Sequence, residues 1–293
     1  MHKVTLVIPT KNRINILCDA VQSACHLDII QEIIVVDDNS TVPLSEEAFK
    51  NIIDFNKITI LKNQSIPGAQ GSRVTGAQYA STDLLLFLDS DDLLLPDGVL
   101  ELYNRICDNE NLALVYGNIL FGQIRSNWIR VKENAYLSVL RNLSLCPFSG
   151  LMVRKSLIPW NELDLALPAW QDDDFCLTVA RKGDINFVDT CVAINHHSDD
   201  SISRSKGRQL IGLYMLIEKW KDEILDKYGI FRLFLWRIRG LGLMAQVIGS
   251  DFSLQVSADR KKYLLKRLAS LLFNAIGHGI KILVKPFFDR VYT

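Results

Sequence analysis

The amino-acid sequence predicts an α/β fold: a mostly parallel central sheet with helices on both faces, followed by a helical C-terminal region. Three observations predict it. Short β-branched runs alternate with segments of helical period through the first third of the 293 residues, the rhythm of βαβ units. The runs Leu6-Val7-Ile8, Ile33-Ile34-Val35-Val36 and Leu84-Leu85-Leu86-Phe87-Leu88 are continuously apolar, which suits strands covered on both sides. From Gln209 onward only helical periodicity remains, punctuated by glycines such as Gly229 and Gly240.

Taken in order, strands are expected at Val4 to Ile8, Glu32 to Val36, Lys57 to Leu61 and Leu84 to Leu88. Helices are expected at Ile14 to Cys25, Leu44 to Phe55 and Gln70 to Ala80. Past Pro96 the rhythm changes, with a helix at Asp97 to Cys107, strands at Leu112 to Phe121 and Leu151 to Arg154, a helix at Asp173 to Arg181 and a strand at Ile185 to Ile194. Each early strand runs into polar residues: Pro9-Thr10-Lys11-Asn12-Arg13, Asp37-Asp38-Asn39-Ser40 and Asp89-Ser90-Asp91-Asp92. Ligands of open parallel sheets bind beyond the carboxyl ends of the strands, so these loops should converge on one crevice.

Composition bounds the function classes. With 48% hydrophobic and 23% charged residues the chain is a packed globular protein, not a collagen-like, disordered or disulfide-scaffold one. Thirty-three basic residues balance thirty-three acidic ones, which gives no overall field to gather nucleic acid. The balance is uneven, however: residues 204–293 hold 17 basic and 7 acidic side chains, and residues 1–203 hold 16 and 26. An acidic first part fits a site that collects cations, and a basic tail fits an anionic partner. Six scattered cysteines without C-x-x-C pairing read as reduced thiols. The start Met1-His2-Lys3-Val4 lacks the layout of a signal peptide, and the apolar stretches near Leu241 to Ile248 and Leu268 to Ile276 fall short of the roughly 20 residues that span a bilayer. The expectation is a cytoplasmic protein without a membrane span.

The acidic runs carry the chemistry. Three carboxylates within Asp89-Ser90-Asp91-Asp92 repel one another unless a positive group sits among them, and a divalent cation with water and phosphate completing its shell is one answer; a solvated turn ahead of a helix is the other. Asp37-Asp38 alone fits an Asx-type turn equally well. Gly68 to Gly76 is neither a dinucleotide fingerprint nor a P-loop; its Arg73 lies near the start of a helix, which fits an ordinary surface arginine as well as one that reaches a phosphate from the crevice rim. Asp172-Asp173-Asp174 satisfies helix capping, although three aspartates exceed what a cap needs and one near the crevice suits a general base. His196-His197 ends the last expected strand and fits metal or phosphate contact as well as simple exposure.

Together these residues resemble glycosyltransferase family 2, the inverting nucleotide-sugar transferases with the GT-A fold, over about residues 3–204. The resemblance rests on Val7 to Arg13, Val36 to Ser40, Gly68 through Arg73 to Gly76, Phe87 to Asp92 and Gln171 to Phe175 occurring in family order. It implies a catalytic domain at 1–205, with nucleotide-sugar binding in about 1–95 and acceptor binding in about 96–205, followed by the helical region 206–293. It implies that Asp38 bonds the donor base, usually uracil of a UDP-sugar. Pro9, Thr10, Asn12 and Arg13 would then pack around the nucleoside, and Arg73 would hold base or phosphate. Asp89 and Asp91 match the D-x-D signature, with Asp89 and Ser90 at the donor and Asp91, helped by Asp89, at a Mn²⁺ or Mg²⁺ ion; His196 or His197 matches a histidine that completes the metal shell in some members. Asp172 stands at the position of the catalytic base. Gln171 departs from the Glu-Asp pair common there, and Asp173 stands where an aromatic is common.

The tail places basic residues among Leu and Phe at helical spacing, from Arg260-Lys261-Lys262 to Lys285-Pro286-Phe287-Phe288. That pattern suits either a helix in an anionic inner-leaflet surface or one packed on protein. Peripheral attachment would bring the enzyme to a glycan or lipid-linked acceptor, as in bacterial-type surface polysaccharide synthesis. Two other readings stand beside sugar transfer. A sugar-1-phosphate nucleotidyltransferase usually needs a glycine-rich N-terminal loop, which Thr10-Lys11-Asn12-Arg13 is not, and a non-catalytic nucleotide-sugar-binding scaffold sits poorly with retained Asp89, Asp91 and Asp172.

Overall fold

The structure is a computed structural model and describes residues 2–249 other than 53, 127–129, 132–134, 143–145 and 196–204. The chain divides into two compact units, 1–201 and 202–293.

In the first unit β1 (Val4–Thr10), β2 (Ile30–Asp37), β3 (Ile58–Lys62) and β4 (Leu84–Phe87) form a wholly parallel half sheet in the order β3-β2-β1-β4. The sheet continues through β8 (Leu151–Arg154), β6 (Leu112–Phe121), β9 (Asp184–Asn195) and β5 (Asp92–Leu94), with β7 (Ile124–Arg125) folded back on β6. β6 and β9 are parallel, whereas β8 runs against both β4 and β6, and β5 against β9. This antiparallel β8 lets β4 and β6 point the same way, so the ends of β1, β2, β4, β6 and β9 share one edge of the molecule.

The pleat sends alternate side chains to opposite faces. Val4, Leu6 and Ile8 of β1 join Leu86 and Leu88 in a core with Leu17, Val21 and Ala24 of α1 (Ile14–Cys25) and Val99, Leu102 and Ile106 of α3 (Pro96–Cys107). Each fully buried side chain of this kind contributes on the order of 2 kcal/mol. Val7 and Val36 face the other side, against α2 (Ala69–Tyr79); a Cβ on Gly76 would stand 2.4 Å from Val7 Cγ1, so only glycine lets this helix lie so close. Phe87 of β4 turns to this second face and packs edge-on against Phe148 and Phe175, the latter on α5 (Gln171–Ala180). A short α4 (Ala135–Asn142) packs beside α5.

The segment from Leu44 to Phe55 is not the continuous helix its apolar spacing predicts. It forms 3₁₀ turns at Glu46–Phe49 and Phe55–Lys57, and Asp54 between them takes φ +59°. A left-handed residue stops α-helix propagation, while a single turn suffices to bury Phe49 completely, which is what the periodicity recorded.

In the second unit α6 (Lys206–Gly249) is interrupted at Gly229, whose φ of +75° and ψ of 174° only glycine adopts at low cost. The two arms fold against each other: a Cβ on Gly240 would stand 2.1 Å from Ile217 Cδ1. Among the described residues no helix is long and apolar enough to cross a membrane.

Candidate active site

The loops beyond β1 and β2 are tied together by their own polar residues. Asn12 and Asn39 take φ +56° and +58°, conformations asparagine tolerates better than most residues. The Asn12 N–H donates to Ser40 Oγ at 2.8 Å, and the Thr41 N–H donates to Asn12 Oδ1 at 2.7 Å. Pro9 and Thr10 are buried at the end of β1, where the Thr10 carbonyl accepts the Asp38 N–H.

Asp38 is 7% exposed. Its Oδ1 accepts from Asn63 Nδ2 at 2.7 Å and from the Gly68 N–H at 3.0 Å, which joins the end of β2 to the residue after β3 and to the start of α2. Lys11 Nζ lies 3.7 Å from Oδ2. Asn63 was not anticipated, although it obeys the rule that singled out Asp38: it is the first polar residue beyond the C-terminal end of a parallel strand.

The acidic turn between β4 and β5 is matched by arginines. Arg13 Nη1 donates to Asp91 Oδ2 at 2.8 Å, and Arg73 Nη2 forms an ion pair with Asp89 Oδ1. Arg73 is 5% exposed, its guanidinium carbon stacks 3.8 Å over the Phe148 ring, and its Nη1 donates to Gln171 Oε1 at 3.3 Å. One guanidinium therefore bridges the acidic turn to the first residue of α5. Ser90 is buried within the same turn.

The three aspartates of α5 have separate environments. Asp174 Oδ2 accepts the Asp164 N–H at 2.9 Å, and Asp173 is 2% exposed. Asp172 is half-buried and accepts the Asp173 N–H. Burial pushes its carboxyl above the usual carboxylate range, Arg73 opposes that rise and Asp89 adds to it. Trp170, just ahead of the helix, has φ +64°. The structure thus brings Asp172 into electrostatic reach of Arg73 and Asp89, though 83 residues separate Asp89 and Asp172 in the chain. Cys146 and Cys176 lie behind this point, both pushed well up by burial, and all six cysteines are free thiols.

Asp92, unlike Asp89 and Asp91, is 1% exposed. Burial, with help from Asp89 and Asp91, raises its pKa to about 8 against the pull of hydrogen bonds from Ser149 and Asn195.

Asp89 and Asp91 suit a divalent ion as donors of the kind that leave most of a Mg²⁺ or Mn²⁺ shell to water and phosphate. No group of three His, Cys, Asp or Glu side chains able to hold a metal occurs among the described residues, so a cage built from those side chains alone is not what this turn offers. His196 and His197 lie outside the described residues, as does the tail beyond 249.

Comparison with known proteins gives a consistent answer. The family described as glycosyl transferase family 2 matches residues 5–158. The chain is 24% identical over 219 residues, 71% of its length and 83% of the relative's, to UDP-Glc:alpha-D-GlcNAc-diphosphoundecaprenol beta-1,3-glucosyltransferase WfgD of Escherichia coli. It is 34% identical over 122 residues, 41% of its length and 39% of the relative's, to GalNAc(5)-diNAcBac-PP-undecaprenol beta-1,3-glucosyltransferase of Campylobacter jejuni. Among solved structures, residues 1–349 of TarS from S. aureus superpose with a TM-score of 0.63 at 17% identity, covering 88% of this chain and 77% of that one. The mannosyltransferase PcManGT from Pyrobaculum calidifontis, in complex with GDP-Man and Mn²⁺, superposes at 0.59 with 14% identity, covering 92% and 80%. These likenesses show the GT-A fold. Asp172 lies beyond the family match and rests on the geometry around it.

Proposed function

Since the chain belongs to glycosyl transferase family 2, a match that takes in more than half of it, we propose that it moves a hexose from a UDP-sugar to a sugar hydroxyl of a lipid-diphosphate-linked acceptor, with inversion, in bacterial surface polysaccharide synthesis. Membership makes it a glycosyltransferase rather than a nucleotidyltransferase. The names of the Escherichia coli and Campylobacter jejuni relatives support the acceptor class, and the former supports the UDP donor.

The observation that carries the mechanism is the Arg73 bridge, which sets the acidic turn and the head of α5 around one guanidinium. In this reading Asp38 and the loop from Pro9 to Arg13 hold the nucleoside, and Asp89 with Ser90 meets its ribose. Arg13 and Arg73 place fixed positive charge where the diphosphate rests. Asp172 accepts the proton of the acceptor hydroxyl while that oxygen forms its bond to the anomeric carbon. The bond from that carbon to the diphosphate oxygen breaks on the opposite face, and the electron pair leaves with UDP. The raised pKa of Asp172 suits this role, because a base nearer neutrality takes a proton more readily. When bound, Mn²⁺ or Mg²⁺ supplies further positive charge against the departing diphosphate; Asp91 and Asp89 would hold it.

The basic and apolar residues between 260 and 288 support attachment to an anionic inner-leaflet surface, where a lipid-linked acceptor resides. The deciding experiment is Asp172→Asn. Transfer should fall by about 10²–10⁴-fold, the usual worth of a general base, while UDP affinity by calorimetry stays within a few-fold. A variant that transfers at the native rate removes Asp172 from the mechanism.

A further inference from the structure

Asp92 is enclosed more completely than its two acidic neighbours, yet it is not idle. Its Oδ2 accepts from Ser149 Oγ at 2.5 Å and its Oδ1 from Asn195 Nδ2 at 2.8 Å. Ser149, fully buried in the 3₁₀ turn Phe148–Gly150, uses the same oxygen to accept the Asp89 N–H at 3.0 Å. The Asp92 N–H meanwhile donates to the Asp89 carbonyl at 3.0 Å. A closed set of hydrogen bonds therefore runs from the Asp89 backbone through Ser149 and Asp92 to Asn195, the last residue of β9, which stands opposite Asp92 in the β5–β9 register.

Three features make this more than core packing. A buried polar side chain is expensive to keep, and an apolar residue of similar size would serve a core as well or better. The chain of bonds reaches the one turn that carries Asp89 and Asp91. It also passes through the turn that presents Phe148, on whose ring Arg73 is stacked. Space around that turn is fixed too, since a Cβ on Gly150 would lie 2.4 Å from Cys146 Sγ.

We propose that Asp92 is a positioning residue, which through Ser149 holds the Asp89 end of the acidic turn in the conformation that receives the diphosphate of the donor. The inference rests on the functional reading above and adds a residue to it. Asp92 touches neither substrate in this account; it acts through the backbone of Asp89.

The test measures UDP affinity by calorimetry and donor and acceptor KM in the full chain, with thermal unfolding to establish that each variant is folded. Asp92→Ala should weaken UDP binding and raise donor KM about 10-fold or more, with acceptor KM unchanged within two-fold. Ser149→Ala, which removes one oxygen, should reproduce the defect. The double variant should be no worse than the poorer single one, because both break the same chain. Asp92→Asn keeps an acceptor for Ser149 and lets the Asn195 amide turn, so it should restore donor KM to within about three-fold. A folded Asp92→Ala with native UDP affinity overturns the proposal. If that variant does not fold, Ser149→Ala decides, and native affinity there overturns it equally. A wild-type chain that binds no UDP overturns the functional reading and this inference together, whereas a binding wild type with an equally binding Ser149→Ala overturns the relay alone.

Discussion

Replacing Arg73 separates charge from geometry at the centre of the site. The native guanidinium makes three contacts: the Asp89 ion pair, the 3.3 Å bond to Gln171 and the stack on Phe148. Arg73→Lys keeps a positive charge but neither the planar stack nor the second bond. Loss of a desolvated cation–π contact costs about 0.5–2 kcal/mol. A long charge-assisted bond adds about 1.5 kcal/mol, the low end of its class, so the variant should lose about 2–3.5 kcal/mol of stability. Arg73→Met also leaves Asp89 without its partner, but that carboxylate is 36% exposed and recovers water, which limits the further loss. The two variants should differ in the pH profile. Burial holds the Asp172 pKa up and Arg73 holds it down, so removing the charge raises it further. A base works only when deprotonated, so activity is lost as pH falls through its pKa; the acid limb of kcat/KM should move to higher pH in Arg73→Met and little in Arg73→Lys. Denaturant unfolding gives the stabilities and pH–rate profiles give the limb. An acid limb in Arg73→Met that coincides with the native one refutes the placement of Arg73 against the base.

Other outcomes follow from separate features. Asp91→Ala should abolish the dependence of UDP binding on Mn²⁺, read by calorimetry with and without the ion; an equal Mn²⁺ effect in the variant excludes Asp91 as its ligand. Gly98→Ala should destabilise the fold by about 1–3 kcal/mol or more, measured by denaturant midpoint, because its Cβ would stand 1.9 Å from the Cys191 carbonyl oxygen, a backbone atom of β9 that cannot step aside. Deleting residues after Ser257 should remove co-sedimentation with anionic vesicles without loss of UDP binding, and undiminished sedimentation excludes the tail as the membrane contact.

The parallel half of the sheet was legible because its strands announce themselves twice, first as apolar runs and then by the polar residues that follow. β5 and β7, three and two residues long, are too short to show a period, and the reversed β8 has an apolar run like that of β4 and β6, against which it runs. The site was legible as a set of acidic runs but not as a set of pairs. Nothing local links Arg13 to Asp91, 78 residues away, or Ser149 to Asp92, 57 residues away. Such pairs exist only once the sheet has closed the chain upon itself. The run Asp172-Asp173-Asp174 shows the limit well: capping explains three aspartates in a first helical turn, and only the folded surroundings tell one carboxylate from the next.

The interruption at Gly229 governs how this chain should be shortened. A stop codon placed within the second arm ahead of Gly240 would strip the cover from Ile217 and leave that apolar side chain bare, inviting precipitation during purification. Cuts made past both arms spare the hairpin, so expression trials should step backward from the terminus and halt before residue 249.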